Sequence, residues 1–161
     1  MPGPQPFLLG EFSRTVDDRY RLVIPGELCE QLTGGSVDCI LAKERPGCLS
    51  LWGAEVWQAK WDAGVDLIRQ KMQVGRLEDR IARVQRFGRL LSTRHRKVQL
   101  AGRGRLLIPE GFREFLGVEP NGNVMVIGAA VCLEVWKPSV WNQYLEAQIP
   151  KFRRLFDQLS K

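Results

Sequence analysis

Arg21-Leu22-Val23-Ile24-Pro25 returns 84 residues later as Arg105-Leu106-Leu107-Ile108-Pro109, and this repetition decides the fold. Kept without a gap, the offset aligns Leu32 with Leu116, Cys48-Leu49 with Cys132-Leu133, Trp52 with Trp136 and Val56-Trp57 with Val140-Trp141. Residues 17–57 and 101–141 share 12 identities in 41 positions, two of them tryptophans. Self-similarity at a fixed offset is the mark of a duplicated structural unit. The chain therefore reads as two copies of one unit of about 45 residues, each followed by a helical tail.

Local signals predict the same elements in each copy. Copy one opens on a strand through 7–12, and Asp17-Asp18-Arg19-Tyr20 turns into a second strand over 21–24. Pro25 stops that strand and starts a short helix over 25–32, ended by Gly34-Gly35. Apolar runs at 39–42 and 48–52 flank the turn-rich stretch 43–47 and predict a hairpin. Copy two repeats the plan with strands at 97–100 and 105–108, a helix over 109–116 closed by Gly117, and a hairpin of 124–127 with 131–136. Each unit is β-β-α-β-β, so the fold class is α+β. A unit this short buries too little apolar surface alone and should pair with its twin about a pseudo-twofold axis. Helices at 54–72 and 76–91, broken at Gly75, join the copies, and two more at 139–145 and 152–159 follow copy two. In the 76–91 helix, Leu77, Ile81, Val84, Phe87 and Leu91 share an arc of about 120°, with Arg76, Arg80, Arg83, Arg86 and Arg89 fanned around the other side.

With 161 residues and 44% apolar content the chain can build a packed core. No apolar run approaches the ~18 residues of a membrane span. The start, Met1-Pro2-Gly3-Pro4-Gln5-Pro6, lacks the basic and apolar regions of a signal peptide, so a cytoplasmic protein without a membrane partner is expected. Four cysteines without a Cys-x-x-Cys pair, and the single histidine His95, suggest neither a metal site nor a disulfide framework. Reduced cysteines in or near the core are the expectation. No nucleophile elbow, Walker lysine or dinucleotide glycine motif is present. An enzyme, a cofactor or a small-molecule substrate is therefore not expected, and His95 reads as an exposed polar neighbour. The tryptophans recur at equivalent places in both copies, which favours anchoring the helical tails over stacking on nucleobases.

The net charge of +6 is unevenly spread. Residues 76–105 hold ten basic groups against Glu78 and Asp79, a local +8, and the rest of the chain sums to −2. Each turn before the Arg-Leu-x-Ile-Pro strand carries two arginines, Arg19 and Arg21 in copy one, Arg103 and Arg105 in copy two. Residues i and i+2 of a strand face one side, so each pair would present two guanidinium groups from a ribbon end. Arginine suits bidentate pairing with guanine or phosphate, and a two-stranded ribbon fits a DNA major groove. The alternative is a surface ion cluster in which Asp17 and Asp18 neutralise Arg19 and Arg21. No acid stands in the copy-two turn, and recurrence of the spacing there favours double-stranded DNA as partner. The basic helix is either a solvated face or a phosphate-binding one, with Arg94, Arg96 and Lys97 nearest the second turn. RNA binding through that helix, and a protein-interaction module, are the competing readings.

Phe7-Leu8-Leu9-Gly10-Glu11-Phe12, Asp17-x-x-x-Arg21-Leu22-x-Ile24-Pro25, the Cys48-Leu49-x-Leu51-Trp52 hairpin, the arginine-rich helix and Gly104-Arg105-Leu106-Leu107-Ile108-Pro109 together resemble the MraZ family of bacterial transcriptional regulators. The resemblance spans about residues 7 to 145. It implies tandem AbrB/SpoVT-like units in a swapped-hairpin β-barrel, with unit one at 7–53, a helical connector at 54–93, unit two at 94–137 and a helical tail at 138–161. It also implies a ring-shaped homo-oligomer, nucleoid-associated, bound to direct repeats upstream of a division and cell-wall gene cluster. The DNA-contact arginine of the family's D-x-x-G-R motif falls on Arg21 and Arg105, with the preceding basic residue at Arg19 and Arg103. Two positions depart from that motif: Tyr20 stands where the family has glycine, and Ala101 where it has aspartate. Glycine there would relieve a positive φ, so Tyr20 either accepts strain or changes the turn, and without the aspartate Arg105 gains freedom.

Overall fold

The computed structural model describes residues 7–75 and 80–161. The chain runs β1 (Leu8–Thr15), β2 (Arg21–Val23), α1 (Gly26–Thr33), β3 (Asp38–Arg45), β4 (Cys48–Gly53), α2 (Ala54–Gln73), α3 (Ile81–Arg94), β5 (His95–Gln99), β6 (Arg105–Leu107), α4 (Phe112–Leu116), β7 (Asn123–Ala130), β8 (Leu133–Trp136), α5 (Pro138–Gln148), a 3-10 turn (Ile149–Lys151) and α6 (Phe152–Ser160). The expected first turn of the connector helix, with Arg76, Leu77, Glu78 and Asp79, lies outside the described residues.

Six strands form one antiparallel sheet in the order β1-β7-β8-β4-β3-β5, and β2 and β6 form a separate two-stranded ribbon. Exchange β1–β4 for β5–β8 and the order reads the same in reverse, as a duplicated unit requires. The first strand of each copy pairs with the third strand of the other, β1 with β7 and β5 with β3, while β4 and β8 meet at the centre. The architecture is α+β with an open sheet whose edges are β1 and β5, which corrects the expectation of a closed barrel. The ribbon cannot bridge those edges. Its strands are three residues long, and the prolines just beyond them, Pro25 and Pro109, carry no N–H to extend the ladder.

One core cluster draws on equivalent positions of both copies: Leu22, Ile24, Leu28 and Leu32 from the first, Leu106, Ile108, Phe112 and Leu116 from the second. Burial of these side chains against one another is what neither unit could achieve alone. Two smaller clusters hold the helical tails. Trp52 at the end of β4 meets Trp57 of α2 with ring centroids 5.7 Å apart, and Trp136 meets Trp141 of α5 at 5.1 Å. All four rings are buried, the anchoring role expected from their recurrence.

Three local differences have clear causes. The second short helix spans only Phe112–Leu116 rather than 109–116, because Gly111 takes a left-handed φ of 86° and interrupts the turn. The strand expected at 97–100 starts at His95, directly off the end of α3. His95 itself is half-buried rather than exposed, its ring centroid 5.3 Å from that of Trp57.

Candidate nucleic-acid interface

In the ribbon, Leu22 and Leu106 lie opposite each other and are fully buried, so the alternation of the strand turns Arg21, Val23, Arg105 and Leu107 outward. Arg21 pairs across with Leu107 and Arg105 with Val23. The two arginines, one from each copy, therefore occupy a diagonal of one exposed face, where such neighbours stand roughly 7–8 Å apart, their Cβ atoms somewhat closer. This corrects the expected pairing within each copy. β2 and β6 begin at Arg21 and Arg105, so Arg19 and Arg103 belong to the preceding turns and are not strand neighbours of the arginine two places on.

The two turns are closed by the same hydrogen bonds, although Arg103 takes a left-handed φ of 66° and its counterpart Arg19 does not. Asp17 N–H donates to Arg21 O at 3.0 Å, as Ala101 N–H does to Arg105 O at 2.9 Å. Tyr20 accepts the strain the sequence posed: its φ is 59°, against 73° for its counterpart Gly104. Each of these residues then receives an N–H from the other copy, Ile108 N–H to Tyr20 O at 3.0 Å and Ile24 N–H to Gly104 O at 2.9 Å. The side chains at these crossings differ to suit. The Tyr20 ring lies under the Arg113 guanidinium at 4.7 Å, and Arg113 is fixed by donating from Nε to Ile108 O at 2.6 Å. Gly104 instead faces the compact Cys29, whose Sγ would stand 3.1 Å from an added Cβ.

The electrostatics of the turns are unequal. Asp17 Oδ1 accepts the backbone N–H groups of Arg19 and Arg21, both at 2.8 Å, and Oδ2 accepts Arg21 Nε at 2.6 Å. The Arg21 N–H, then the Arg19 N–H and the Arg21 guanidinium, hold the Asp17 carboxyl below its ordinary pKa against a smaller opposing effect of desolvation. The ion cluster weighed from the sequence is thus present in copy one for Arg21. In copy two Ala101 offers only its carbonyl, which accepts Arg105 N–H at 3.3 Å, and among the described residues neither Arg103 nor Arg105 forms a salt bridge.

The remaining basic candidates separate. Arg94 reaches Glu44 at 3.9 Å, and the Arg96 guanidinium sits 5.7 Å from the Phe112 ring. Arg96 is in register with Leu41, on the sheet face that carries the main core and the ribbon, whereas Lys97 is in register with Ile40 on the opposite face, towards α2. The structure thus brings Arg21 and Arg105 together and keeps Arg96 on their side, while Arg94 is drawn to Glu44, which holds Ser50 beside Trp52 on the other face, where Lys97 also lies. Val23 and Leu107, half-exposed beside the arginines, are not conspicuous in the sequence; the period-two alternation of the ribbon strands is the signal that marks them. Among the described residues no cluster of three or more His, Cys, Asp or Glu could hold a metal ion, and no helix is long and apolar enough to cross a membrane.

The family model described as "MraZ protein, putative antitoxin-like" matches residues 92–158, covering the second copy and its tail. A protein named Transcriptional regulator MraZ from Clostridium tetani (strain Massachusetts / E88) is 26% identical over 153 residues, 95% of this chain and 96% of its own. One of the same name from Limosilactobacillus reuteri (strain DSM 20016) is 27% identical over 153 residues, 95% of this chain and 97% of its own. Another, from Moorella thermoacetica, is 25% identical over 151 residues, 94% of this chain and 95% of its own. These alignments run through both copies of the duplicated unit, so the chain is similar to proteins named Transcriptional regulator MraZ over nearly its whole length.

Proposed function

We propose that this protein is a sequence-specific DNA-binding transcriptional regulator, not an enzyme, that reads major-groove edges with the ribbon formed by β2 and β6. The observation that carries the reading is the diagonal Arg21 and Arg105 pair on one outward face, drawn from both copies and backed by two buried leucines. A ribbon fixed to the core holds the backbone of both arginines in place, so that binding need order only their side chains, and bidentate arginine pairing discriminates guanine by about 1–3 kcal/mol per contact. Half-exposed Val23 and Leu107 beside the arginines suit thymine methyl groups. Arg19 and Arg103 in the flanking turns, with Arg96, serve the phosphate backbone, and Arg94, held by Glu44, adds to the field around them. Lys97 faces away from the ribbon and would contribute only to the general field. In this reading the 7–53 and 94–137 units, with their connector at 54–93 and tail at 138–161, form one AbrB-like swapped-hairpin pair. Several copies in a ring would engage direct repeats upstream of a division and cell-wall gene cluster in the cytoplasmic nucleoid. Multivalency makes weak contacts per subunit sufficient.

The test is a gel shift with DNA from upstream of the protein's own gene, in competition with random DNA and RNA at physiological salt. The Arg21→Ala/Arg105→Ala variant should lose the preference for that DNA, about 2–6 kcal/mol across two contacts per subunit, with a shallower salt slope. Folding should be nearly unchanged, because the Arg21–Asp17 pair is half-exposed and screened by solvent. Equal retardation by the parent and the double variant would remove the ribbon as the reading surface. Preference of the parent for RNA would replace the DNA assignment.

A further inference from the structure

Among the described residues, α6 and a groove beside α2 leave apolar side chains uncovered. On α6, Phe152, Leu155, Phe156 and Leu159 are between 53% and 78% exposed, and their spacing puts them on a single stripe. The Phe152 and Phe156 rings stand 6.4 Å apart as a paired wedge. Lys151, Arg153, Arg154 and Lys161 surround the stripe, with Asp157 the only acid in 151–161. The second surface is a groove of about 760 Å³ between α2, the end of α3 and the β3–β5 face. Trp61, Val65 and Leu91 line it, and Asp38 and Asp62 sit on it together with Lys97. At this wall the Trp61 Nε1 and His95 Nδ1 atoms are buried without a hydrogen-bond partner among the described residues.

We infer that α6 of one copy seats its apolar stripe in the α2–β5 groove of the next. Charge selects this occupant over a symmetric pairing of α6 with α6. Residues 151–161 carry a net +3, so two such helices face to face repel, whereas the groove carries two carboxylates against one lysine. Two different but complementary patches on one chain make a head-to-tail contact, which closes into a ring when the rotation between neighbours permits. The inference rests on the ring assembly proposed above and names the surfaces that join its subunits.

The experiment is sedimentation velocity on the full chain and on Leu155→Asp/Phe156→Asp, both exposed positions whose substitution leaves the core untouched. The parent should sediment as an oligomer and the variant as a single chain. Arg154→Glu and Asp62→Lys should each weaken assembly, and the two together should restore part of it. If the parent is an oligomer and Leu155→Asp/Phe156→Asp keeps its mass, the α6 interface is overturned and ring assembly stands. A monomeric parent overturns both. In a parallel arm with vesicles containing phosphatidylglycerol, loss of vesicle binding by the α6 variant without change of mass would assign the stripe to a lipid surface and overturn the inference.

Discussion

Replacing Gly104 by alanine tests the cross-copy turn at its tightest point. Gly104 holds a φ of +73°, a conformation that costs an L residue roughly 1–2 kcal/mol. The added Cβ would also lie 3.1 Å from Cys29 Sγ and 3.4 Å from Ile24 O, so the Cys29 side chain must leave its position, adding roughly 0.5–1.5 kcal/mol. Together these predict a destabilisation of about 2.5 kcal/mol and a Tm lower by ~5–10 °C for a chain of this length. Urea denaturation of the parent, Gly104→Ala, Cys29→Ala and the double variant separates the two parts. In the Cys29→Ala background the steric part should vanish and the left-handed part persist. Gly102→Ala, whose added Cβ meets open space, should stay within about 0.5 kcal/mol of the parent. A Gly104→Ala loss below about 0.5 kcal/mol would refute the left-handed, close-packed turn that aims Arg103 and Arg105.

Other outcomes follow from the titratable groups. Asp17 is held below its ordinary 3.8 in the fold, so it contributes stability above that value and loses it as pH falls through the depressed folded value. Asp17→Asn keeps an oxygen for the Arg19 and Arg21 N–H groups but not the charge, so the parent's thermal advantage over it should shrink on acidification. Glu134 behaves oppositely: burial raises its pKa, opposed by the hydrogen bond from Trp136 Nε1 and reinforced by Glu44, so stability falls as pH climbs from 4.5 through the folded value. Glu134→Gln retains an acceptor for Trp136 Nε1 and should melt above the parent at neutral pH, the two curves merging below the unfolded value. Burial pushes the thiols of Cys39 and Cys132 up to about 12 and raises that of Cys48 as well. Only the half-exposed Cys29 should react with a thiol reagent at mildly alkaline pH, and all four should react in denaturant.

The duplication, the strands and the two helical tails were legible because they depend on local signals: proline and glycine as stops, period-two apolar runs, and the same residue types at a constant offset. The tryptophans could be assigned to anchoring for the same reason, since each pair stands at a strand end and the following helix start. The arginine site was legible only in composition. Sequence spacing pairs Arg19 with Arg21 and Arg103 with Arg105, whereas the register of β2 on β6 pairs Arg21 with Arg105. That register joins residues 84 apart, and no local propensity encodes it. The burial of His95 against Trp57 was hidden for the same reason, because α2 reaches it only through the packing of the connector on the sheet.

By itself the sequence determined that the chain is a duplicated β-β-α-β-β unit, where its basic charge is concentrated, and that copy one alone has an acid to neutralise its turn. Tertiary structure alone decided that each copy lends its first strand to the other, that the sheet stays open at β1 and β5, and that one arginine from each copy meets on a single face. The division has one physical cause. Turns and periodicity act over a few residues and are written in the chain, while strand partners are chosen by which pairing buries Leu22, Ile24, Leu106 and Ile108 in a common core, a choice that exists only once both copies are folded together.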